Sequence, residues 1–500
     1  MKILHISDTH VTDTGQFREE ALTSALAELA SNDFDLFIHS GDVTDMGRKE
    51  QFERAADLFD DISIPRIIVP GNHDKRSGGL TLFKQNIGPA RGVEFIGEDA
   101  VATYVDSGVN DLDEGRVGTV QFNMIKDTLN SNQDKSLKIV VLHHHTIPIP
   151  WTGKERNVLS NAGDLLDLFI KSDVDLVLSG HKHFPNTYKL ENTLFINAGT
   201  VSDRKTRYGD TNSYNVICVD KDKTRVHIKR HNGHVKSKTF ARSRKKVFTH
   251  FGGRKARIAQ MSNTFISDSY RFREGTYKDG VQHLNDLAPD LVVHCGGIVE
   301  EGIAKHYWFA NSLLKKIEAT VLFTPAGRDI NYLGYQLYSE NFGSLDQEYD
   351  LNGVYLRGIS SAQYDSNLGV IGETERTSLF HEISEHDADF KLLFLHHNVL
   401  PIPHSREKGL LEDSGDLLRE SVDNNVHVIL TGTSSHPFAT RINNTVVANA
   451  NSFSSIYQRS LYGNSFNLID IYEKIIVVSE VNCLWGTRRI LGMWPVNNTN

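Results

Sequence analysis

The chain repeats itself along its whole length. Asp35-Leu-Phe-Ile-His-Ser-Gly-Asp42 returns as Asp290-Leu-Val-Val-His-Cys-Gly-Gly297, and Leu142-His-His-His-Thr-Ile-Pro-Ile-Pro150 returns as Leu395-His-His-Asn-Val-Leu-Pro-Ile-Pro403. Asn212-Ser-Tyr-Asn-Val-Ile217 matches Asn464-Ser-Phe-Asn-Leu-Ile469. The partners stand 255, 253 and 252 positions apart in a chain of 500 residues. Such a steady register means two copies of one domain, since solenoid repeats have periods of about 20–50 residues. The expected division is a first domain over 1–245, a basic linker over 246–256 and a second domain over 257–500.

Within the first copy, short runs rich in Ile, Leu and Val alternate with helix-period segments. Ile3–Ile6, Leu36–Ile38, Arg66–Val69, Ile139–Leu142, Leu176–Leu178 and Leu194–Ile196 are bounded by Gly, Pro, Asp or Asn, as buried strands are. Phe17–Ala30 carries Leu22, Leu26 and Leu29 on one face, and Lys49–Phe59 carries Phe52, Ala56 and Phe59. The alternation predicts an α/β (α+β) domain with a largely parallel or mixed sheet.

Chemistry gathers where these strands end. Ile3–Ile6 runs into Asp8 and His10, Leu36–Ile38 into Gly41-Asp42, and Arg66–Val69 into Gly71-Asn72-His73-Asp74. Ile139–Leu142 runs into His143, His144 and His145, and Leu176–Leu178 into Gly180-His181-Lys182-His183. Ligands of open α/β sheets bind beyond the carboxyl ends of strands. Five strand ends therefore deliver carboxylate, amide and imidazole to one edge. That oxygen and nitrogen donor set suits Mn, Fe, Zn or Co better than Ca or a thiolate zinc site. Seven candidates exceed the needs of one ion. Two cations sharing a carboxylate, roughly 3.5–4 Å apart, would acidify a bridging water and hold a phosphoryl oxygen, as phosphate ester hydrolysis requires.

Asp8-x-His10, Gly41-Asp42, Gly71-Asn72-His73-Asp74, a His-His segment and Gly180-His181-x-His183, all in order, resemble the calcineurin-like metallophosphoesterase superfamily. The resemblance implies a β-sandwich flanked by helices, in two tandem copies, and a pair of divalent transition metal ions (Mn, Fe or Zn). It implies that Asp8, His10 and His183 hold one ion, that Asn72, His144 and His181 hold the other, and that Asp42 bridges them. His73 would donate a proton to the leaving alkoxide, with Asp74 orienting it. Similar sequences read His-His-Pro with the second His as ligand, which selects His144 over His143 and His145. His145 would then face substrate. Arg76, Trp151 and Asn186 lie in expected loops near the site and are weaker candidates for substrate contact.

The second copy has lost this constellation. Asp8 corresponds to Asn263, His10 to Phe265, Asp42 to Gly297, Asn72 to Gly327 and His73 to Arg328. His181 and His183 become Thr433 and Ser435, and only His397, opposite His144, is expected to keep a ligand type. The reading is a pseudo-enzyme copy that keeps the fold.

The segment Leu-His-His-x-x-x-Pro, Asn161-Ala-Gly-Asp164 and Val-Leu-Ser-Gly-His-x-His further resembles the class III cyclic-nucleotide phosphodiesterases. The expected activity is hydrolysis of a phosphodiester, a cyclic nucleotide or another small nucleotide-type diester, through a hydroxide bridging the two metals. A DNA or RNA nuclease and a phosphomonoesterase are the alternatives within the superfamily. A regulatory binding scaffold is the alternative from another class.

Between Lys223 and Ser267 there is no Asp or Glu, while lysines and arginines accumulate, Arg244, Lys245 and Lys246 among them. A solvated linker is the preferred reading, and a strip for nucleic-acid phosphates is the other. A net charge of −9 offers no general attraction to nucleic acid or anionic membrane. Three scattered cysteines, Cys218, Cys295 and Cys483, make neither a disulfide framework nor a zinc site. No run of 18 apolar residues and no signal peptide are visible, so a cytoplasmic protein without membrane contact is expected.

Overall fold

Alternation along the strands explains the layers. In the first unit Ile3, Leu36, Ile38, Ile139, Val141, Leu176 and Leu178 meet in one buried cluster. Leu4, Phe37 and Ile68 point the other way, against Leu22, Phe52 and Phe83. Period-two side chains thus feed a sheet-to-sheet core on one face and a helix-to-sheet core on the other. Each fully buried aliphatic side chain contributes roughly 1.5–3 kcal/mol.

The structure, a computed structural model, describes residues 1–242, 250–405 and 409–496. Contacts divide the chain into two units, Met1–Lys246 and Val247–Asn500. The expected boundary at 245 and 246, with Arg244, Lys245 and Lys246, lies outside the described residues. A strand already begins at Arg254, inside the stretch read as linker to 256. Ala256 and Ile258 point into the core there, and that alternation makes the segment a strand.

The first unit runs β1 (Lys2–Ile6), β2 (Leu36–His39), β3 (Arg66–Ile68), β4 (Gly92–Ile96), β5 (Ala100–Tyr104) and β6 (Leu137–Val141). It continues with β7 (Leu176–Ser179), β8 (Asn186–Leu190), β9 (Thr193–Asn197), β10 (Ser213–Val219), β11 (Lys223–Arg230) and β12 (Val235–Ala241). One sheet has the order β12-β11-β10-β1-β2-β3, the other β4-β5-β6-β7-β9-β8. β1, β2 and β3 are parallel, as are β5, β6, β7 and β9. Antiparallel strands complete both sheets. Helices α1 (Glu19–Ser31) and α2 (Lys49–Phe59) cover the first sheet, with Phe52, Ala55 and Phe59 inward on α2.

The second unit has the same arrangement. Its strands are β13 (Arg254–Met261), β14 (Leu291–Cys295), β15 (Val321–Thr324), β16 (Glu348–Leu351), β17 (Val354–Gly358) and β18 (Phe390–Phe394). They continue as β19 (Val428–Thr431), β20 (Phe438–Ile442), β21 (Thr445–Asn449), β22 (Ser465–Tyr472), β23 (Ile475–Asn482) and β24 (Arg488–Pro495). The sheet orders are β15-β14-β13-β22-β23-β24 and β16-β17-β18-β19-β21-β20. Both units are mixed α/β sandwiches with helices outside. Among the described residues no helix is long and apolar enough to cross a membrane.

Candidate metal centre and active site

The loops leaving β1, β2, β3, β6 and β7 converge because the parallel strands of both sheets end at the same edge. The chain must turn sharply there. Asp8, His10, Asp42, His181 and His183 all hold positive φ, between 48° and 72°. Left-handed backbone costs side chains like these about 1–3 kcal/mol each. Gly41 takes φ 101°, and a Cβ there would lie 2.5 Å from the His143 ring. Only glycine lets the two loops close.

Two triplets of donors result. In the first, His10 Nε2 and His183 Nε2 lie 3.0 Å apart, and Asp8 Oδ1 is 3.3 Å from His183 Nε2. In the second, Asn72 Oδ1 is 3.1 Å from His143 Nε2 and 3.0 Å from His181 Nδ1, and these two nitrogens are 3.2 Å apart. Asp42 Oδ2 stands between them, 3.6 Å from His10 Nε2 and 3.3 Å from His143 Nε2. The other ring nitrogens fix the tautomers. His183 Nδ1 donates to the Lys205 carbonyl at 2.7 Å, and His143 Nδ1 to the Ser40 carbonyl at 2.8 Å. Their site-facing nitrogens are therefore lone pairs, aimed at other lone pairs and at carboxylates. Only cations or extra protons satisfy such a set, and the donors fit two divalent ions sharing Asp42.

The electrostatics agree. Burial pushes the Asp8 carboxyl up, but His183 and His10 outweigh it and hold it well below the usual range. Burial likewise opposes ionisation of Asp42, and His143 and His73 reverse that. Burial pulls His143 down, yet Asp42 lifts it to about 9.

His144 is not in the cluster. Its Nδ1 meets the Ser107 hydroxyl at 2.9 Å and its Nε2 the Asp113 carbonyl at 3.2 Å, so neither nitrogen is available. His143 takes the place assigned to it. Ile139 and Val141 face the sandwich core, and continued alternation gives that side to His143 and the opposite one to His144. In the second unit His397 makes the same bonds, to Ser361 and the Asn367 carbonyl, while His396 repeats His143 by binding the Cys295 carbonyl. The one histidine kept at a ligand position there is thus His396 and not His397, which was expected to keep it.

Asp74 does not orient His73. It accepts the backbone N–H groups of Val43, Thr44 and Gly71 at 3.0, 2.7 and 2.9 Å, and the Thr44 hydroxyl. Asp329 repeats this with Gly297, Val299 and Ala326 in a unit where Arg328 takes the place of His73. The carboxylate ties loops together. His73 is held instead by Asp45, whose carbonyl accepts from Nδ1 at 2.7 Å and whose carboxylate lies 3.4 Å away. The backbone N–H of His73 donates to Asp42 Oδ1 at 2.9 Å. Asp45 and Asp113 carry no motif and escaped the sequence. Asp113 accepts from Asn72 Nδ2 at 3.1 Å, which turns the amide oxygen toward the histidines.

The weaker candidates divide. Arg76 lines the cleft, reaching the Asp45 carbonyl and Asp113, both at 3.3 Å. His145 is buried against Glu155 at 3.1 Å, which Lys182 also pairs with, so it does not face substrate. Trp151 stacks on Tyr208, with ring centroids 5.2 Å apart, and does not line the cleft. Asn186 is no loop residue but opens β8, buried opposite Asn197. The cleft itself is a cavity of about 420 Å³, with Arg76, Lys205 and Arg207 around the donors.

Several junction cations are already paired. Lys229 binds Glu28, Arg230 binds Asp210, Arg242 binds Asp175 and Arg257 binds Asp470, at 2.6 to 3.1 Å. These cations are spent on folding, which favours the structural reading of the strip.

Residues 1–185 match the family model of the calcineurin-like phosphoesterases. The chain is similar to the 3',5'-cyclic adenosine monophosphate phosphodiesterase CpdA of Haemophilus influenzae, 26% identical over 192 residues, covering 37% of this chain and 70% of that protein. The Escherichia coli K12 enzyme of the same name is 26% identical over 193 residues, with the same coverages. A dimetal phosphatase from Danio rerio superposes at a TM-score of 0.40 with 11% identity, over 48% of this chain and all of that one.

Proposed function

The first unit belongs to the calcineurin-like phosphoesterases, which makes the chain a hydrolase, and from that premise we propose that it cleaves small nucleotide-type phosphodiesters such as cyclic nucleotides. The observation that carries this reading is the pair of donor triplets joined by Asp42 at the floor of a small cleft that also holds Arg76, Lys205 and Arg207. Asp8, His10 and His183 would hold one divalent ion, and Asn72, His143 and His181 the other, with Asp42 shared. When bound, the ions supply Lewis acidity and an acidified water.

The protein's own groups do the rest. Arg76, Lys205 and Arg207 attract and orient the phosphate anion. Asp113 holds Asn72 so that its oxygen, not its amide nitrogen, faces the centre. Asp45 fixes the His73 ring. Nε2 of His73 has no partner among the described residues; with Nδ1 donating to Asp45, the ring carries a proton at Nε2 only as imidazolium, and in that form, beside the Asp45 carboxylate, it hands the proton to the leaving oxygen. A cavity of about 420 Å³ suits a nucleotide better than a duplex. The CpdA similarity points the same way. The second unit, without the shared carboxylate, is read as a copy that no longer turns over.

The test compares wild type and Asp42→Asn, both loaded with manganese, on a chromogenic diester, a monoester, cyclic AMP and linear DNA. Wild type should favour the small diesters, and Asp42→Asn should fall at least about a hundredfold. Equal activity in both proteins, or none in either, overturns the reading. Preference for DNA with steep salt dependence marks a nuclease instead, and preference for the monoester marks a phosphomonoesterase.

A further inference from the structure

The second unit keeps a cavity at the place where the first unit has its metal centre, and this cavity is the larger, about 630 Å³ against about 420 Å³. Its lining is charged differently. Four carboxylates, Asp42, Asp45, Asp113 and Asp203, line the first cavity beside four cations, Arg76, Lys182, Lys205 and Arg207. Among the described residues the second has none and has two guanidinium groups, Arg328 and Arg459. Neither forms an ion pair with a described carboxylate. Arg328 stands where His73 stands in the first unit, its guanidinium 5.3 Å from the centre of the Phe265 ring. Phe265 replaces a metal ligand and, with Tyr457 at 6.4 Å, forms an aromatic wall. Arg459 is anchored by donating to the His404 carbonyl at 2.7 Å.

Two further acceptors lie at this cavity, one of them buried and without a partner. His396 is only 7% exposed and commits Nδ1 to the Cys295 carbonyl at 2.7 Å, so Nε2 is an acceptor at the cavity wall. Burial keeps this imidazole neutral, with a pKa near 4. Gln458 Oε1 is buried without a hydrogen bond, and Gln458 lines the same cavity. A buried acceptor left unpaired costs about 1–3 kcal/mol. Guanidinium groups, acceptors for hydroxyl or amine donors, and aromatic faces together make a site for an anion that also carries a polar, planar ring.

We infer that the second unit is a metal-independent binding site for a nucleoside monophosphate, its phosphate on Arg328 and Arg459 and its base against Phe265 and Tyr457. This goes beyond the hydrolytic reading and does not depend on it, because binding is measured without turnover. The full chain, stripped with a chelator, is titrated calorimetrically with adenosine monophosphate, inorganic phosphate and adenosine. Adenosine monophosphate should bind at one site, at least tenfold tighter than either of the others. Arg328→Ala should weaken it at least tenfold and Arg328→Lys less, while circular dichroism and the melting temperature show the fold intact. Arg459→Ala provides a second, independent loss. No binding, equal affinity for inorganic phosphate, or unchanged affinity in both alanine variants overturns the inference.

Discussion

With its Nδ1 proton given to the Ser40 carbonyl, His143 offers Nε2 as a lone pair beside Asn72, His181 and Asp42. His144 has both nitrogens engaged elsewhere. Alanine substitutions should therefore separate them. His143→Ala should lower bound manganese from about two ions per chain to about one and reduce activity at least a hundredfold. His144→Ala should keep both ions and lose no more than about tenfold, in the range of outer partners that position ligands. Elemental analysis after dialysis against manganese decides; the reverse pattern restores His144 as the ligand. At this scale the sequence named Asp8, His10, Asp42, Asn72, His181 and His183, and the structure brings these six side chains into one cluster. The sequence could not place Asp45 or Asp113, because their roles arise from loops meeting in space. Choosing between adjacent histidines needed the facing of β6, which the apolar run Ile139–Leu142 conceals by being hydrophobic on both sides.

At the scale of elements, parallel strands set the site and tight turns complete it. The loop after β2 passes so close to the one after β6 that Gly41→Ala must displace the His143 ring, and its φ of 101° is strained for any side chain. We expect destabilisation of about 1–3 kcal/mol in chemical denaturation, together with loss of the second ion. A variant as stable as wild type with both ions bound would refute that account. The strands of the first unit named from the sequence are all present, and Lys49–Phe59 is a helix with the bounds read from its periodicity. β4, β5, β8, β10, β11 and β12 were not named. Asn186 went to a loop because its strand is short and polar, whereas β12 is a largely exposed edge without an apolar stripe.

At the scale of the whole molecule, buried histidines tie stability to pH. In the second unit burial holds His294 and His397 near pKa 3 and His396 near 4, all neutral. Unfolding would return them to about 6.5. Below that value the unfolded chain binds more protons, so folding stability is lost as pH falls from 6.5 toward 4. Each group contributes at most about 1.4 kcal/mol per pH unit. Asp329 opposes them, because burial raises its carboxyl to about 6 and it takes up a proton on folding over part of that range. Three histidines outweigh one aspartate. Hydrogen exchange, corrected for intrinsic rates, should show β13 and β14 losing protection between pH 7 and 5, and His294→Gln should blunt the loss. Protection that is flat or rising on acidification would contradict the sign.

The left-handed turns recur in both copies although the side chains they present differ. Asn263 and Phe265 keep φ of 51° and 46°, close to the 54° and 48° of Asp8 and His10, and Gly297 matches Asp42 at 70° against 55°. Main-chain contortion and side-chain chemistry have thus become separable properties of one scaffold. The exchange of cation affinity for anion affinity that we infer between the copies therefore asks for a handful of altered codons and no rebuilding of the backbone.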